Sequence, residues 1–454
     1  MGKYFGTDGI RGIVNESLDA MLAFKIGCAA ATLLTENAQP GGKKPLILIG
    51  KDTRISSDML EASLIAGICS SGADVMPLGV LPTPAVAYLT VREKADLGIV
   101  ISASHNPFEH NGIKIFGGGG FKLPDALEER IERIIDGQEP CVLKTHGEIG
   151  RVRPDDGRML QTYIDYLASA AECDVSGLRI AVDCANGAAS VTARRLFEKL
   201  GVECAVLCDQ PDGVNINDGC GSTHIERLSA FVREGGYDLG FAFDGDADRC
   251  LVVDETGAVV DGDRMMSVLG LAMKRSGRLK NDRIVATVMS NMGFHAFARE
   301  HGITLECAAV GDRNVLERML ECGAVLGGEQ SGHIIFLDSA TTGDGQLAAV
   351  KFLSVVAASG LPVSRLAATF EQYPQVMVNV PVRGGNAAKE AIMQSPKLKE
   401  AIREQEAALG PAGRVLVRPS GTEALIRVMA EAKDADAAKK AVETLASLIK
   451  LLEL

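Results

Sequence analysis

The chain has 454 residues, enough for roughly three domains at about 150 residues each. Its 47 Lys and Arg stand against 59 Asp and Glu, a formal charge of −12. That balance excludes a general affinity for nucleic acid or anionic membrane, because polyphosphate binding needs clustered cations. A hydrophobic share of 46% with 23% charged residues is globular composition and excludes disorder. Glycine is in excess, 50 residues or about 11% against a usual ~7%, which points to many backbone-lined loops. Eleven cysteines run from Cys28 to Cys322 without a CxxC pair, the pattern of a reducing compartment. The N-terminus lacks a basic segment leading into an apolar core, and no apolar run nears the ~18 residues of a membrane span, so a soluble, cytoplasmic protein is expected.

In chain order, Gly6-Thr7-Asp8-Gly9-Ile10-Arg11-Gly12 first sets Arg11 in a glycine-marked segment. Leu46–Ile49, Ala73–Met76 and Leu97–Ile101 read as buried strands, with a helix over Met59–Ser70. Leu97–Ile101 runs straight into Ser102-Ala103-Ser104-His105-Asn106-Pro107, and Lys114 follows ten residues after Ser104. The Gly117–Gly120 run lacks the Lys-Ser/Thr ending of a P-loop and reads as a turn. A composition shift near Gly147–Pro154 closes a first domain, 1–150.

A second domain, 151–254, has strands at Arg179–Asp183, Glu203–Leu207 and Leu239–Phe243 and a helix at Thr192–Leu200. Its last strand delivers Asp244-Gly245-Asp246-Ala247-Asp248-Arg249. A third, 255–371, has helices at Met265–Arg275, Asn314–Cys322 and Gln346–Ala358 around strands Ile284–Val288 and Ala324–Leu326, the latter ending in Gly327-Gly328-Glu329-Gln330-Ser331-Gly332-His333. The last segment, 372–454, changes order: strand Val376–Val382, helix Ala387–Leu409, strands Val415–Val417 and Leu425–Ala430, helix Ala435–Leu451. The fold class is α/β, with three α/β domains of mixed, largely parallel sheets and a smaller C-terminal α+β domain around a central cleft. Three buried strands each deliver a polar loop at their carboxyl ends, where open α/β sheets bind ligands.

The residues in those loops carry specific chemistry. Asp244, Asp246 and Asp248 sit at alternate positions and would point the same way on an extended backbone. Three hard oxygen donors without His or Cys favour Mg²⁺, and without a cation they would repel one another behind a buried strand. Arg249 could balance that charge or hold a phosphate. Ser104 offers a hydroxyl beside a stiff Asn-Pro turn and can serve as a phosphoryl carrier or simply as a capping serine. His105 and Lys114 are candidate proton donors or acceptors. Arg418-Pro419-Ser420-Gly421-Thr422-Glu423 joins a guanidinium fork to two hydroxyls and close backbone N–H groups, a phosphate-binding set where a plain hairpin turn is the alternative. Arg427 lies nearby in sequence. Glu329 and Ser331, ahead of His333, suit hydrogen bonds to sugar hydroxyls.

Taken together, Lys3–Gly12, Ile101–Pro107, Asp244–Arg249, Gly327–His333 and Arg418–Glu423 resemble the α-D-phosphohexomutase superfamily over essentially the whole chain. Glu329-Gln330-Ser331, Asp183–Ala188 and Thr341–Gly345 resemble its glucosamine branch. The resemblance implies interconversion of glucosamine 6-phosphate and glucosamine 1-phosphate, a step toward UDP-N-acetylglucosamine, through a phosphoserine at Ser104. It implies Mg²⁺ on Ser104, Asp244, Asp246 and Asp248, and glucosamine 1,6-bisphosphate or glucose 1,6-bisphosphate as primer. Arg11, His105, Lys114 and Arg249 would join Ser104 in catalysis. Glu329, Ser331 and His333 would bind the sugar, and Arg418, Ser420, Gly421, Thr422 and Arg427 its distal phosphate. The partner is a phosphosugar, with no nucleic acid or membrane, and a homodimer is suggested. Two other readings are a phosphoglucomutase or phosphomannomutase with the same machinery, and a phosphosugar-binding regulator without turnover; a phosphatase is a further one. The presence of Ser104, three aspartates and Arg418 together argues against a pure binder.

Overall fold

A computed structural model describes residues 2–6, 8–36, 42–420 and 424–453. The chain separates into two units, residues 1–289 with 303–369, and residues 290–302 with 370–454. Among the described residues, no helix is long and apolar enough to cross a membrane.

The first unit contains three mixed sheets of one design. In the first, Leu97–Ile101 lies parallel to Leu46–Lys51, which is parallel to Asp74–Val80, with helices as the crossovers. On its other side Leu97–Ile101 meets His110–Gly117 antiparallel, Ile101 opposite Ile113, and Gly9–Ile13 and Phe5–Gly6 continue the sheet. In the second, Glu203–Leu207, Arg179–Asp183 and Leu239–Phe243 are parallel, and Cys250–Asp254 returns antiparallel with Phe243 opposite Cys250. In the third, Thr304–Ala308, Arg283–Thr287 and Leu326–Gly328 are parallel, and Ile334–Phe336 returns with Gly328 opposite Ile334. Each sheet therefore doubles back through one polar loop: the Ser104 loop, the aspartate loop and the Glu329 loop.

Local chemistry sets these elements. Asp19 caps the helix Ala20–Thr35 by accepting the Leu22 N–H at 2.7 Å, and Asp344 caps Gly345–Ser359 by accepting the Leu347 N–H at 2.9 Å. The helix Ala20–Thr35 crosses Ser57–Ser70 at Gly27 and Gly67, where a Cβ on either glycine would press into a carbonyl oxygen of the other helix. Ile26 and Leu64 bury beside that crossing, with Ile47, Ile49, Ile99 and Ile101 in the same core.

The second unit has an antiparallel sheet with Leu425–Ala432 between Gln375–Pro381 and Gly413–Pro419. Val442, Leu445 and Ile449 of the helix Ala435–Leu452 pack on Ile426 and Val428. The single helix expected over Ala387–Leu409 is two, Gly385–Gln394 and Pro396–Leu409. Pro396 has no N–H to donate and holds Ser395 extended, at ψ 124°, which ends the first helix and starts the second. The helix Met292–Glu300 groups with this unit through fully buried Glu431, which accepts the Met292 N–H at 2.7 Å and the Arg414 guanidinium at 2.7 Å.

Candidate functional site

Ser104 sits just past its strand with φ +53°, in the left-handed region. The turn is held from several sides. The Ser104 N–H donates to Ser102 Oγ at 2.9 Å, and the Ser104 carbonyl accepts Arg54 Nη2 at 2.9 Å and Asn217 Nδ2 at 3.0 Å. Arg54 also donates to the carbonyls of Asn106 and Pro107, at 2.9 and 2.8 Å, while Asp52 orients its Nε at 2.9 Å. Both Arg54 and Asp52 have fully buried side chains, so their charges satisfy each other and the loop rather than solvent. The Ser104 hydroxyl is left pointing at Asp244 Oδ2, 2.6 Å away.

The aspartate loop is a tight turn, not the extended run that the alternate spacing suggested. The Ala247 N–H donates to the Asp244 carbonyl at 3.0 Å, and Ala247 takes φ +56°. The three carboxylates converge because the turn curls them inward, with one oxygen of each within 4.8 Å of the others. Gly245 fits against the Ser104 carbonyl, where a Cβ would be 2.5 Å from that oxygen, so the two loops meet backbone to backbone. Asp244 and Asp246 are 0% exposed and Asp248 6%. Asp246 Oδ2 accepts Thr83 Oγ1 at 2.6 Å and Lys114 Nζ at 2.8 Å. Asp246 Oδ1 and Asp248 Oδ1 are buried with no hydrogen-bond partner among the described residues. Burial and the neighbouring Asp248 and Asp246 push the Asp244 carboxyl well above the usual carboxylate range. Hard, converging oxygens with unsatisfied lone pairs fit a divalent cation of the Mg²⁺ type.

Around this centre stand the other expected groups of the first unit. Burial works against the charge on Lys114, but Asp246, Asp8 and Asp248 outweigh it and keep the ammonium protonated. Asp8 in turn links Lys114 at 3.1 Å and Lys122 at 2.5 Å, and pairs with Arg11. His105 Nδ1 is 3.3 Å from Ser104 Oγ. Burial, then Arg249 and Arg11, lowers the His105 pKa to about 4, so its imidazole is neutral at pH 7. Arg249 has a half-buried guanidinium with Nε 4.0 Å from Asp248. His333, expected among the sugar-binding groups, is 2% exposed and turned inward. Its Nε2 lies 3.1 Å from the Gly343 nitrogen and its Nδ1 3.7 Å from Asp248 Oδ2, and Asp248 outweighs burial to raise its pKa to about 9. Glu329 is half-buried, with Oε1 accepting the Gly311 N–H at 3.0 Å, and Ser331 is exposed at the hairpin tip. A cavity of about 240 Å³ lies beside Lys122, Asp312 and His333, but neither Ser104 nor the three aspartates line it.

In the second unit, Arg418 and Arg427 are directly opposed across two antiparallel strands, so both half-buried guanidiniums project from one face. Lys389, 4% exposed, donates to the Ser420 carbonyl at 2.6 Å and supports the start of the loop. Gly421, Thr422 and Glu423, like Thr7 in the first motif, lie outside the described residues.

Arg54, Thr83, Asn217, Asp8, Gly343 and Lys389 are the groups that sequence reasoning missed. Arg54 had a readable signal: Lys51-Asp52-Thr53-Arg54 follows a buried strand as the three polar loops do. Thr83 and Asn217 had none, because each acts on a loop more than a hundred residues away.

Four family models cover most of the chain. They are the phosphoglucomutase/phosphomannomutase alpha/beta/alpha domains I, II and III, at residues 2–140, 161–257 and 261–373, and the C-terminal domain of the same family at 377–448. A phosphoglucosamine mutase of Acetivibrio thermocellus is 52% identical over 455 residues, covering 100% of this chain and 99% of its own. One from Rhodococcus erythropolis is 51% identical, covering 99% of each. Among solved structures, a phosphoglucomutase/phosphomannomutase family protein of Burkholderia thailandensis superposes with TM-score 0.79 at 25% identity, over 98% of this chain and 97% of that one. The N-acetylphosphoglucosamine mutase of Aspergillus fumigatus, solved with GlcNAc-6P and magnesium, shares the fold with TM-score 0.64 at 17% identity, over 95% and 99% of the two chains. A substituted form of that enzyme, solved with glucose 1,6-bisphosphate, gives 0.61 at 18% identity over the same shares.

Proposed function

The chain belongs to the phosphoglucosamine mutases of the phosphoglucomutase/phosphomannomutase family, intramolecular phosphotransferases, and we propose that it exchanges phosphate between O6 and O1 of glucosamine through a phosphorylated Ser104. The observation that carries this reading is the Ser104 hydroxyl, fixed 2.6 Å from Asp244 at the mouth of three buried carboxylates.

Phosphoserine 104 gives its phosphoryl group to the free hydroxyl of a bound monophosphate, forming a 1,6-bisphosphate. The sugar then turns end for end and returns the other phosphate to Ser104, and the isomeric monophosphate leaves. A 1,6-bisphosphate of glucosamine or glucose primes the unphosphorylated serine. The product is a precursor on the route to UDP-N-acetylglucosamine.

Phosphoryl transfer demands positioning and charge stabilisation more than covalent chemistry. Arg54 and Asn217 hold the Ser104 carbonyl so that the hydroxyl keeps one direction. Asp244, Asp246 and Asp248, with Ser104 Oγ, would hold Mg²⁺, which when bound neutralises charge on the transferring group. Lys114 is an ammonium and so donates a proton or a hydrogen bond, whereas neutral His105 can accept a proton from the attacking sugar hydroxyl. Arg11 and Arg249 offer guanidinium charge to the phosphoryl group. Glu329 and Ser331 bind sugar hydroxyls, and Arg418, Ser420, Gly421, Thr422 and Arg427 take the phosphate that is not reacting.

Phosphorus NMR with Mg²⁺ and a bisphosphate primer tests this directly. The 6-phosphate of glucosamine should be converted faster than those of glucose or mannose. A preference for mannose 6-phosphate would move the chain to the phosphomannomutase reading, and accumulation of inorganic phosphate would make it a phosphatase.

A further inference from the structure

We propose that Cys208 and Cys220 form a peroxide-responsive dithiol, which closes to a disulfide and thereby disturbs the hold of Asn217 on the Ser104 loop. The two thiols stand at the ends of one loop in the second sheet's layer. Cys208 directly follows the strand Glu203–Leu207, and Cys220 directly precedes a short turn of helix at Gly221–Thr223. Their sulfurs lie within 4.8 Å of each other and of an Asp183 carboxylate oxygen. Cys220 is 1% exposed while Cys208 is partly open, the arrangement of an attacking thiol backed by a resolving one.

The surroundings favour thiolate chemistry at Cys208. Arg227 Nη1 donates to Cys208 Sγ at 3.5 Å. The hydrogen bond from Cys220, aided by Arg227, outweighs burial and the nearby Asp183 carboxylate and holds the Cys208 thiol below the usual range. A carboxylate and two sulfurs would also suit a soft divalent cation. Against that, Arg227 already supplies positive charge at Cys208, and both Asp183 oxygens accept backbone N–H groups, from Ala185 at 2.9 Å and Gly221 at 3.0 Å.

The chemistry balances with a hydroperoxide as oxidant. The Cys208 thiolate attacks one peroxide oxygen, the O–O bond breaks, and the departing oxygen leaves as an alcohol or as water. The resulting sulfenic acid is attacked by the Cys220 sulfur. The S–S bond forms as the S–O bond breaks, and the hydroxide leaves as water with the Cys220 proton. Two thiols are oxidised and one peroxide is reduced.

The link to function runs through the loop that the thiols bracket. Asn217, three residues before Cys220, donates from Nδ2 to the carbonyls of Ser104 at 3.0 Å and Asn106 at 3.2 Å. Gly213 of the same loop accepts the Ile55 N–H at 2.9 Å, next to Arg54. Drawing the sulfurs from contact into a bond shifts the loop end that carries Asn217. This consequence rests on Ser104 as the phosphoryl carrier; the thiol chemistry does not.

The test treats the whole protein with hydrogen peroxide, blocks the remaining thiols, and reads peptides by mass alongside turnover. A peptide pair joined through Cys208 and Cys220 is expected, with kcat lowered by about tenfold or more, KM unchanged, and both effects reversed by dithiothreitol. In Cys220→Ser the reaction should stop at a Cys208 sulfenic acid trapped by dimedone, with kcat retained. Both thiols remaining free while exposed Cys141, Cys173 and Cys307 are oxidised would overturn the proposal. So would a stoichiometric zinc ion that Cys208→Ser releases. A disulfide that leaves kcat unchanged would overturn control of the Ser104 loop. If the untreated protein lacked mutase turnover, the functional reading would fail instead, and the joined peptide would still decide the thiol chemistry.

Discussion

Ser104 and Ala247 both take left-handed backbone, a conformation that costs an ordinary L residue roughly 1–2 kcal/mol. Such strain persists where the surroundings over-determine it, and here two loops press together through Gly245. The residue types in these loops were legible because hydroxyl, carboxylate and guanidinium groups rarely cluster behind buried strands without a use. Their geometry was not legible. Alternation along the chain suggested an extended Asp244–Asp248, whereas the i to i+3 hydrogen bond from Ala247 curls it. Nor could sequence tell that Lys114, a plain lysine in an apolar strand, would be tied to Asp246 across 132 residues. The site's charge makes one prediction at this scale. Asp246→Asn should keep the fold, since Asn still accepts from Thr83. It should lose the rise in melting temperature on adding Mg²⁺, which for a ligand at a hundred times its Kd corresponds to about 2.7 kcal/mol. Calorimetry with and without Mg²⁺ measures it, and an undiminished rise in the variant would place the cation elsewhere.

At the scale of elements, the parallel strands other than Thr304–Ala308, whose Thr, Glu and Cys interrupt its apolar run, were readable as short continuous apolar runs, and the returning ones were not. His110–Gly117 mixes His, Asn, Lys and two glycines, and its Lys114 is buried only because carboxylates from other loops reach it. The helix Ala20–Thr35 also escaped notice, since it is buried over most of its surface and carries no clear polar stripe. The break at Ser395-Pro396 was visible as a residue pair, but the periodicity on either side masked it. Arg54 shows how an element serves the site without touching a ligand. Arg54→Leu would leave Asp52 and three loop carbonyls without their shared donor and should cost about 3–5 kcal/mol in denaturant unfolding. Arg54→Lys keeps the charge but not the planar fork. It should fold, with kcat down about tenfold or more and KM for the phosphosugar unchanged; an equal loss in both would mean that Arg54 acts on binding. The opposed Arg418 and Arg427 make the contrary prediction. Arg418→Ala should raise KM for the phosphosugar by about tenfold, the loss of one charge-assisted contact, while phosphorylation of Ser104 by the primer is far less affected. An unchanged KM would remove the pair from substrate binding.

Over the whole molecule, the charge of −12 and the glycine excess take on a definite meaning. On the proposed reading an acidic protein takes an anionic substrate through locally placed cations, Arg11 and Arg249 in the first unit and the opposed Arg418 and Arg427 in the second. The glycines serve loop contacts such as Gly245 on Ser104, but also the helix crossing at Gly27 and Gly67, which has no part in the site. The assignment of residues 290–302 to the C-terminal unit could not be read from sequence, because the helix lies between two strands of another sheet. Its anchor is Glu431, 0% exposed. Glu431→Ala should take from Arg414 its carboxylate partner, lower the stability of that unit by about 3 kcal/mol, and speed amide exchange over residues 292–300; slow exchange there in the variant would show that other contacts hold the helix. Passage of phosphate between Ser104 and the sugar is open to a single-turnover experiment. Protein carrying phosphate on Ser104 is mixed with glucosamine 6-phosphate and Mg²⁺ without primer, and the products and the intact protein mass are followed together. Glucosamine 1,6-bisphosphate or the 1-phosphate is expected to form from the serine phosphate, with no inorganic phosphate and no reaction in Ser104→Ala. Release of inorganic phosphate, or turnover in Ser104→Ala, would contradict it.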